Sequence, residues 1–203
     1  MHRNQDLGVL VMRHRHTIAG GFTLIELMVT VALAAILMAV AVPNFTTFQR
    51  NAQLTSFSNT MLASINAARG EAMKRGRYAM LVPADRTNWS SGWVVFVDID
   101  RSQAYEAASD ITILTTASPP GYLTVSGNGS AAESPPYIMF DASGYSTRKS
   151  GAFGASTFEI KRNDVTSTDQ LTQTRRIKIA STGRVRVCTP ISSPDAQCSA
   201  SGL

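Results

Sequence analysis

The chain has 203 residues, a formal net charge of +5 and three histidines, all of which lie before residue 17. Once an N-terminal segment is set aside, about 160 residues remain, which is enough for one ordinary domain rather than two. Without histidine in that domain, the chain cannot build a Ser-His or Cys-His nucleophile pair, and zinc lacks its commonest nitrogen ligand. We therefore expect no enzyme, no catalytic residue, no cofactor and no metal.

The first 21 residues form a basic flank to the apolar run that follows them. They contain three arginines, three histidines and a single acid, Asp6. By the positive-inside rule, such a flank stays in the cytoplasm and the C-terminal part is exported. Translation from Met12 instead of Met1 would shorten this segment to ten residues and stays an open alternative.

Phe22 to Val42 is a run of 21 mostly apolar residues that contains one charge, Glu26, and is closed by Pro43. A helix of this length spans the roughly 30 Å hydrocarbon layer, where an ionised group is costly and usually has a specific partner. The run predicts a membrane helix over residues 22–43 whose carboxylate has a partner. Two other interpretations remain: a secretory signal with its cleavage site at residues 39–41, for which the run is long, and a plain membrane anchor.

The hexapeptide from Gly21 to Glu26 reads GFTLIE and resembles the processing site of type IV prepilins and type II secretion pseudopilins. The resemblance implies that prepilin peptidase, a membrane enzyme, cuts between Gly21 and Phe22 and that the new amino terminus at Phe22 is N-methylated. It also places Glu26 at the fifth mature position. In a low-dielectric helix bundle, this carboxylate is a natural partner for the Phe22 ammonium of a neighbouring subunit. Glu26 and Pro43 are therefore the expected assembly residues.

Apolar residues continue at steps of three and four after Pro43, which predicts the amphipathic outer half of a helix over residues 44–76. Gly76 is suited to cap the C-terminus of this helix. Cations near Gly76 are stabilised by the negative end of the helix dipole. Residues 22 to about 75 thus predict one long helix. Its predicted buried stripe is Phe45, Phe48, Ala52, Phe57, Met61, Ile65, Ala68 and Ala72, and the cations are Lys74, Arg75 and Arg77.

Residues 77–203 predict a β-rich globular domain. Short segments rich in β-branched and aromatic residues alternate there with clusters of Gly, Pro, Ser and Asp. The predicted fold class is therefore α+β, with the long N-terminal helix packed on an antiparallel sheet. The predicted strands are Tyr78–Val82, Gly92–Val97, Ile111–Thr115, Tyr122–Val125, Tyr137–Phe140, Thr157–Lys161, Arg175–Ala180 and Arg184–Cys188.

Asp98 and Asp100 follow the second predicted strand and are the best candidates in this domain for two carboxylates that act together. A calcium loop beginning at Asp98 needs glycine at its sixth position and glutamate at its twelfth. The chain has Gln103 and Ser109 there. We therefore expect a solvated loop and no metal site.

Four further segments carry motifs: residues 68–76 (ARGEAMKRG), 89–98, 140–144 (FDASG) and 179–186 (IASTGRVR). They resemble the GspH/FimT group, which includes minor type IV pilins and a minor type II secretion pseudopilin. The resemblance implies a pilin fold, a low-copy subunit that supports filament assembly, and other pilin or pseudopilin subunits as partners. It also implies a single-pass precursor in the bacterial inner membrane with its C-terminal domain in the periplasm. The choice between a pilus and a secretion system stays open.

Positive charge concentrates in residues 145–186, which hold nine Lys and Arg against three Asp and Glu. If residues 181–183 form a three-residue hairpin loop, Lys178 faces Arg186, and the basic side chains share one face of the hairpin. Arg184 and Arg186 then project the same way about 7 Å apart, which is comparable to the phosphate spacing along an extended strand.

The tetrapeptide from Gly183 to Arg186 resembles a motif implicated in DNA binding by FimT proteins of naturally transformable bacteria. The alternative function is therefore a DNA-binding minor pilin that acts as a receptor in the uptake of double-stranded DNA. Arginines that only solvate an edge hairpin would explain the same charges. The DNA-binding candidates are Gly183, Arg184, Arg186, Lys178 and Arg176.

Cys188 and Cys198 are the two cysteines of the chain. Both lie near the C-terminus, on the exported side, where a disulfide persists. We expect them to be paired, with two separate buried thiols as the alternative.

Overall fold

The computed structural model describes residues 21–166 and 169–200, and it divides the chain into two compact units with the boundary between Phe45 and Thr46. The predicted leader, apart from Gly21, lies outside the described residues. One helix, α1, runs from Leu24 to Arg75 and confirms the long N-terminal helix. Among the described residues, no helix combines the length and the apolarity required to cross a membrane.

Thr23 caps the first turn of α1. Its Oγ1 accepts the backbone N–H of Glu26 at 3.2 Å, and its carbonyl oxygen accepts the N–H of Leu27 at 3.1 Å. Threonine followed three residues later by glutamate is a helix-start signature, because the hydroxyl satisfies an N–H that has no partner within the helix. The negative charge of the glutamate is also stabilised by the positive end of the helix dipole. The motif that resembles a processing site therefore also begins the helix.

Gly76 ends α1, as the sequence predicted. Its φ angle is +64°, a left-handed conformation, and the N–H of Arg77 reaches back to the carbonyl oxygen of Ala72 at 3.2 Å. This is the hydrogen bond of a Schellman cap, which glycine permits without a steric penalty.

Within residues 76–166 and 169–200, nine antiparallel strands follow the helix in two sheets. The first sheet has the strand order β3-β2-β1-β5-β6 and the second has the order β4-β7-β8-β9. The eight predicted strands are all present, and the two-residue β6 was not predicted. The chain changes sheet between β3 and β4, where Pro119 and Pro120 supply no N–H for strand pairing. The strands are β1 Ala79–Pro83, β2 Trp93–Val97, β3 Ile111–Thr116, β4 Leu123–Gly127, β5 Ile138–Phe140, β6 Ser146–Thr147, β7 Ser156–Arg162, β8 Thr174–Ile179 and β9 Val185–Cys188.

The core of the second unit lies between the sheets and the inner face of α1. The helix contributes fully buried residues from Leu54 onward, at the steps of three, four and seven expected of one face. The predicted stripe is correct from Met61 to Ala72 but wrong at Phe45, Phe48 and Ala52, which are exposed. The predicted spacing of the buried residues is therefore correct, but apolar helix residues are buried against the sheets only from Leu54 onward. The buried helix positions are Leu54, Ser58, Met61, Ser64, Ile65, Ala68 and Ala72.

Candidate functional site

The predicted processing residues and the predicted assembly residue Glu26 lie at the beginning of α1, and Pro43 lies further along the same helix. Gly21 and Phe22 precede α1, and the Phe22 residue is 81% exposed. Glu26 is also exposed, on the first turn of the helix. The junction between Gly21 and Phe22 and the Glu26 residue are therefore both exposed in the single chain.

The β8–β9 hairpin has the register that the sequence predicted. Lys178 pairs with Arg186, and Ile179 pairs with Val185. The N–H of Ala180 donates to the carbonyl oxygen of Arg184 at 2.9 Å, and Gly183 has a φ angle of +77°. A three-residue loop with glycine in the left-handed position closes the hairpin, as hairpin geometry requires.

Arg69 of α1 joins two turns of the sheets. Its Nε donates to the carbonyl oxygen of Gly144, in the β5–β6 turn, at 2.9 Å. A Cβ on Gly183, in the β8–β9 turn, would lie 2.6 Å from the same Nε. Three of the four motif segments thus meet at one guanidinium, a role that sequence reasoning did not assign to Arg69.

The C-terminal tail, defined as residues 189–200, covers part of the predicted basic face. Lys178 is only 3% exposed, and its Nζ lies 2.8 Å from Ser199 Oγ. Arg176 donates to the carbonyl oxygen of Cys198 at 2.5 Å and pairs with Glu159 at 2.7 Å. Arg186 donates to a further tail carbonyl oxygen, that of Gln197, at 2.5 Å.

This coverage corrects the expectation of an open basic face. Gly183 is buried, Lys178 is buried and Arg176 is half-buried, so only Arg184 and Arg186 of the five candidates are exposed. Burial lowers the pKa of Lys178, and the neighbouring Arg186 and Arg176 lower it further. Sequence reasoning missed the tail because it has no strand pattern and contacts the basic side chains mainly through backbone oxygens.

A disulfide between Cys188 and Cys198 holds this tail, as the sequence predicted. Asp195 shapes the loop that the disulfide closes. Its Oδ1 accepts the N–H groups of Gln197 and Cys198, both at 2.9 Å, and its Oδ2 accepts that of Ile191 at 3.0 Å. These backbone hydrogen bonds, led by that of Ile191, lower the pKa of Asp195.

A surface cavity of about 350 Å³ lies beside the hairpin. Its lining includes three cationic side chains, whose positive charge favours an anion there. The lining residues are Lys178, Ala180, Thr182, Arg184 and Arg186.

The loop after β2 is mostly exposed, as expected of a solvated loop, but the aspartates at its two ends are buried. Asp98 is fully buried, and a third carboxylate, that of Asp110, is nearly buried beside it. Burial raises the pKa of Asp98, and the neighbouring carboxyl groups of Asp100 and Asp110 raise it further. The sequence did contain a signal for this pairing, because Asp98 directly follows one strand and Asp110 directly precedes the next.

Comparison with known proteins identifies two families along the chain. Residues 58–183 match the family described as type II transport protein GspH, and residues 18–42 match the prokaryotic N-terminal methylation motif. Among curated proteins, the type IV major pilin protein PilA of Myxococcus xanthus (strain DK1622) is 39% identical over 59 residues. That match covers 29% of this chain and 27% of the length of PilA.

The solved structures that are similar to this chain include those of two minor subunits. The type IV minor pilin FimU of Pseudomonas aeruginosa has a TM-score of 0.49 at 19% identity, over 68% of this chain and 98% of FimU. The minor pseudopilin EpsH from the type 2 secretion system of Vibrio cholerae has a TM-score of 0.47 at 11% identity, over 69% of this chain and 99% of EpsH.

The family match extends from the buried half of α1 to the β8–β9 turn and so includes Arg69, Gly144 and Gly183. The second match includes the GFTLIE hexapeptide. The resemblance seen in the sequence is thereby confirmed: the chain belongs to the GspH family and carries the N-terminal methylation motif of prepilin-type proteins.

Proposed function

We propose that this chain is a low-copy pilin or pseudopilin subunit that supports assembly of a type IV pilus or a type II secretion pseudopilus. It enters the bacterial inner membrane as a precursor with its C-terminal domain in the periplasm. Prepilin peptidase cuts it between Gly21 and Phe22, and Phe22 is N-methylated. The N-terminal helix then joins those of other subunits. The GspH family match and the methylation motif support this sequence of events.

One observation carries the proposal: the first unit exposes large apolar side chains around its helix. Phe22, Leu24 and Leu37 are 81%, 76% and 70% exposed in the single chain. Burial of such surface is strongly favourable, so a helix of this kind is stable when lipid or other subunits cover it. The exposed apolar side chains of residues 22–42 are those of Phe22, Leu24, Ile25, Leu27, Met28, Val29, Val31, Leu33, Ile36, Leu37, Met38 and Val42.

Glu26 sets how the helices of neighbouring subunits align along this apolar contact. After cleavage, the ammonium of Phe22 on one subunit and the carboxylate of Glu26 on its neighbour are opposite charges in a medium of low dielectric constant. Their attraction is far stronger there than in water, and each charge left alone would be costly. Pro43 ends the apolar run that takes part in this packing.

The test compares Glu26→Ala with Thr30→Ala in cells that assemble filaments. Thr30 lies one turn further along the same exposed helix, and its hydroxyl bonds the Leu27 carbonyl oxygen of its own helix at 2.9 Å. Both variants should be cleaved, but only Glu26→Ala should be depleted from the sheared filament fraction on immunoblots. Incorporation of Glu26→Ala at the level of Thr30→Ala would contradict the pairing.

A second candidate function, DNA binding, rests on the exposure of Arg184 and Arg186 beside the basic cavity. Two arginines that neutralise phosphates release counterions, so the affinity should fall steeply with salt. The test measures binding of the full-length chain in detergent to double-stranded DNA at several salt concentrations. Changing both arginines to glutamine should reduce the slope by about two units. Arg86→Gln with Arg101→Gln is the control, and an equal loss in that variant would contradict a site at the hairpin.

A further inference from the structure

Three carboxylates meet at the open end of the β2–β3 hairpin. Val97 pairs with Ile111 at the last position of the ladder, which places Asp98 and Asp110 side by side immediately beyond it. Asp100 lies two residues further along the connection. One carboxylate oxygen from each of the three aspartates lies within 4.8 Å of the other two. We propose that Asp98, Asp100 and Asp110 bind a calcium ion at this position.

The strongest support comes from Asp98. This residue has no exposed surface, and its Oδ1 has no hydrogen-bond partner among the described residues. Its other oxygen, Oδ2, accepts the N–H of Gln103 at 3.1 Å. A buried carboxylate oxygen without a partner is unfavourable, and such atoms in folded proteins call for a ligand or an ion. A cation among the three carboxylates supplies that partner.

The backbone holds the other two carboxylates in place. Asp110 accepts the N–H of Ile99 through Oδ1 at 3.1 Å and that of Glu106 through Oδ2 at 2.9 Å. Asp100 Oδ1 accepts the N–H of Ser102 at 2.9 Å. Each carboxylate oxygen has two lone pairs, so one hydrogen bond still leaves capacity to coordinate a metal. The loop therefore fixes the orientation of the ligands without using up their acceptor capacity.

The charges of the three aspartates also favour a bound cation. Within the part of the chain that the structure describes, none of the three aspartates forms a salt bridge. Three ionised carboxylates whose oxygens lie within 4.8 Å of one another repel one another. A divalent ion among them offsets this repulsion.

The ligand set selects calcium over other metals. All three ligands are hard oxygen atoms, which disfavours zinc and copper. Calcium bonds oxygen at about 2.4 Å in a flexible geometry, so it tolerates varied arrangements of three carboxylate oxygens that lie within 4.8 Å of one another. Magnesium requires shorter bonds, at about 2.1 Å, in a near-ideal octahedron. Asp110 lies one residue beyond the twelfth position of the calcium loop rejected from the sequence, which explains why that loop pattern did not reveal the site.

The test is isothermal titration of calcium chloride into the purified full-length chain in a non-denaturing detergent, with magnesium chloride in a parallel experiment. We expect one calcium ion per chain, with a dissociation constant on the order of 0.1 to 1 mM, as in extracellular calcium modules. Asp98→Asn and Asp100→Asn should each weaken binding about tenfold or more. Asp100 is exposed, so its variant keeps the fold even if Asp98→Asn does not.

Asp85→Asn is the matched control. Asp85 Oδ1 also accepts two backbone N–H groups of its own loop, those of Thr87 and Asn88 at 2.8 and 2.7 Å, but it lies outside the cluster. Its variant should bind calcium like the unchanged chain. A folded chain that takes up no calcium at millimolar concentration would overturn the proposal. Binding that persists in Asp100→Asn would also overturn it, and equal binding of magnesium would overturn the choice of calcium.

Discussion

Gly183 packs directly against Gly144, so that a Cβ on Gly183 would lie 1.9 Å from the Gly144 carbonyl oxygen. The same oxygen accepts the Nε of Arg69 at 2.9 Å. The helix, the β5–β6 turn and the β8–β9 turn therefore meet at one carbonyl group. Each of these residues lies in a segment that carries the family resemblance. The segments share a packing requirement, since the approach of two turns to one arginine leaves no room for a side chain on Gly183.

Gly183→Ala should destabilise the chain by about 3 kcal/mol, because a methyl group adds steric overlap to the strain of a positive φ angle. Gly151→Ala is the matched control, since Gly151 has a φ angle of +84° but nothing within 4 Å of its position for a Cβ. It should cost about 1 kcal/mol, from backbone strain alone. Urea unfolding of both variants measures the difference, and equal losses would contradict the packing role of Gly183.

The hairpin and the tail differ in how far their sequence predicts them. The hairpin register follows from local rules: alternating basic and apolar residues, with glycine at the third loop position. The tail contacts Arg176 and Arg186 through carbonyl oxygens, which every residue has, so no pattern of side chains announces that contact. The path of the tail depends on the disulfide and on Asp195. These fix the position of the tail only once the strands have formed.

The buried face of the helix and the acidic cluster could also be predicted from the sequence only in part. Periodicity identified the buried face of α1, but where burial begins depends on the extent of the sheets, which is set by distant residues. Asp98 and Asp100 were recognised from their spacing in the sequence. Asp110 joins them through the pairing of Val97 with Ile111, and that contact belongs to the strand register.

Removal of the disulfide should open the tail. Changing both Cys188 and Cys198 to serine should lower stability by about 3 kcal/mol or less, because the loop it closes is short. Lys178, which is 3% exposed, should then react faster with a water-soluble amine-acylating reagent. Peptide mass spectrometry measures the labelling, with Lys161, whose side chain is 38% exposed, as the internal reference. Unchanged labelling of Lys178 relative to Lys161 would show that the tail stays in place without the disulfide.

Cleavage should depend on the size of residue 21. A bulky side chain in place of Gly21, as in Gly21→Leu, should leave uncut precursor, because the proposed cleavage by prepilin peptidase falls directly after this glycine. Immunoblots of the membrane fraction separate precursor from mature protein. Gly70→Leu is a size-matched control, since Gly70 lies near the C-terminal end of α1 with nothing within 4 Å of its position for a Cβ. Mature protein from Gly21→Leu would contradict the assignment of the cleavage site.

Acid should destabilise the junction between α1 and β7. A hydrogen bond from Arg162, followed by one from Arg50, helps lower the pKa of Asp164 from 3.8 to about 2. Because the pKa is lower in the folded state, this stabilisation is present above about pH 4 and is lost as the pH falls towards 2. It amounts to about 1 kcal/mol, because solvent around this exposed residue screens the interaction behind the pKa shift.

Asp164→Asn should therefore be less stable than the unchanged chain at pH 7, by about 1 kcal/mol, and the difference should disappear near pH 2. Asp169→Asn is the control in the same loop, since that carboxylate accepts the hydroxyl of Thr166 at 3.0 Å instead of an arginine. Urea unfolding at pH 7, 4 and 2 measures both variants. A constant difference across this range would show that Asp164 acts through packing, because loss of its charge by protonation would then have no effect on stability.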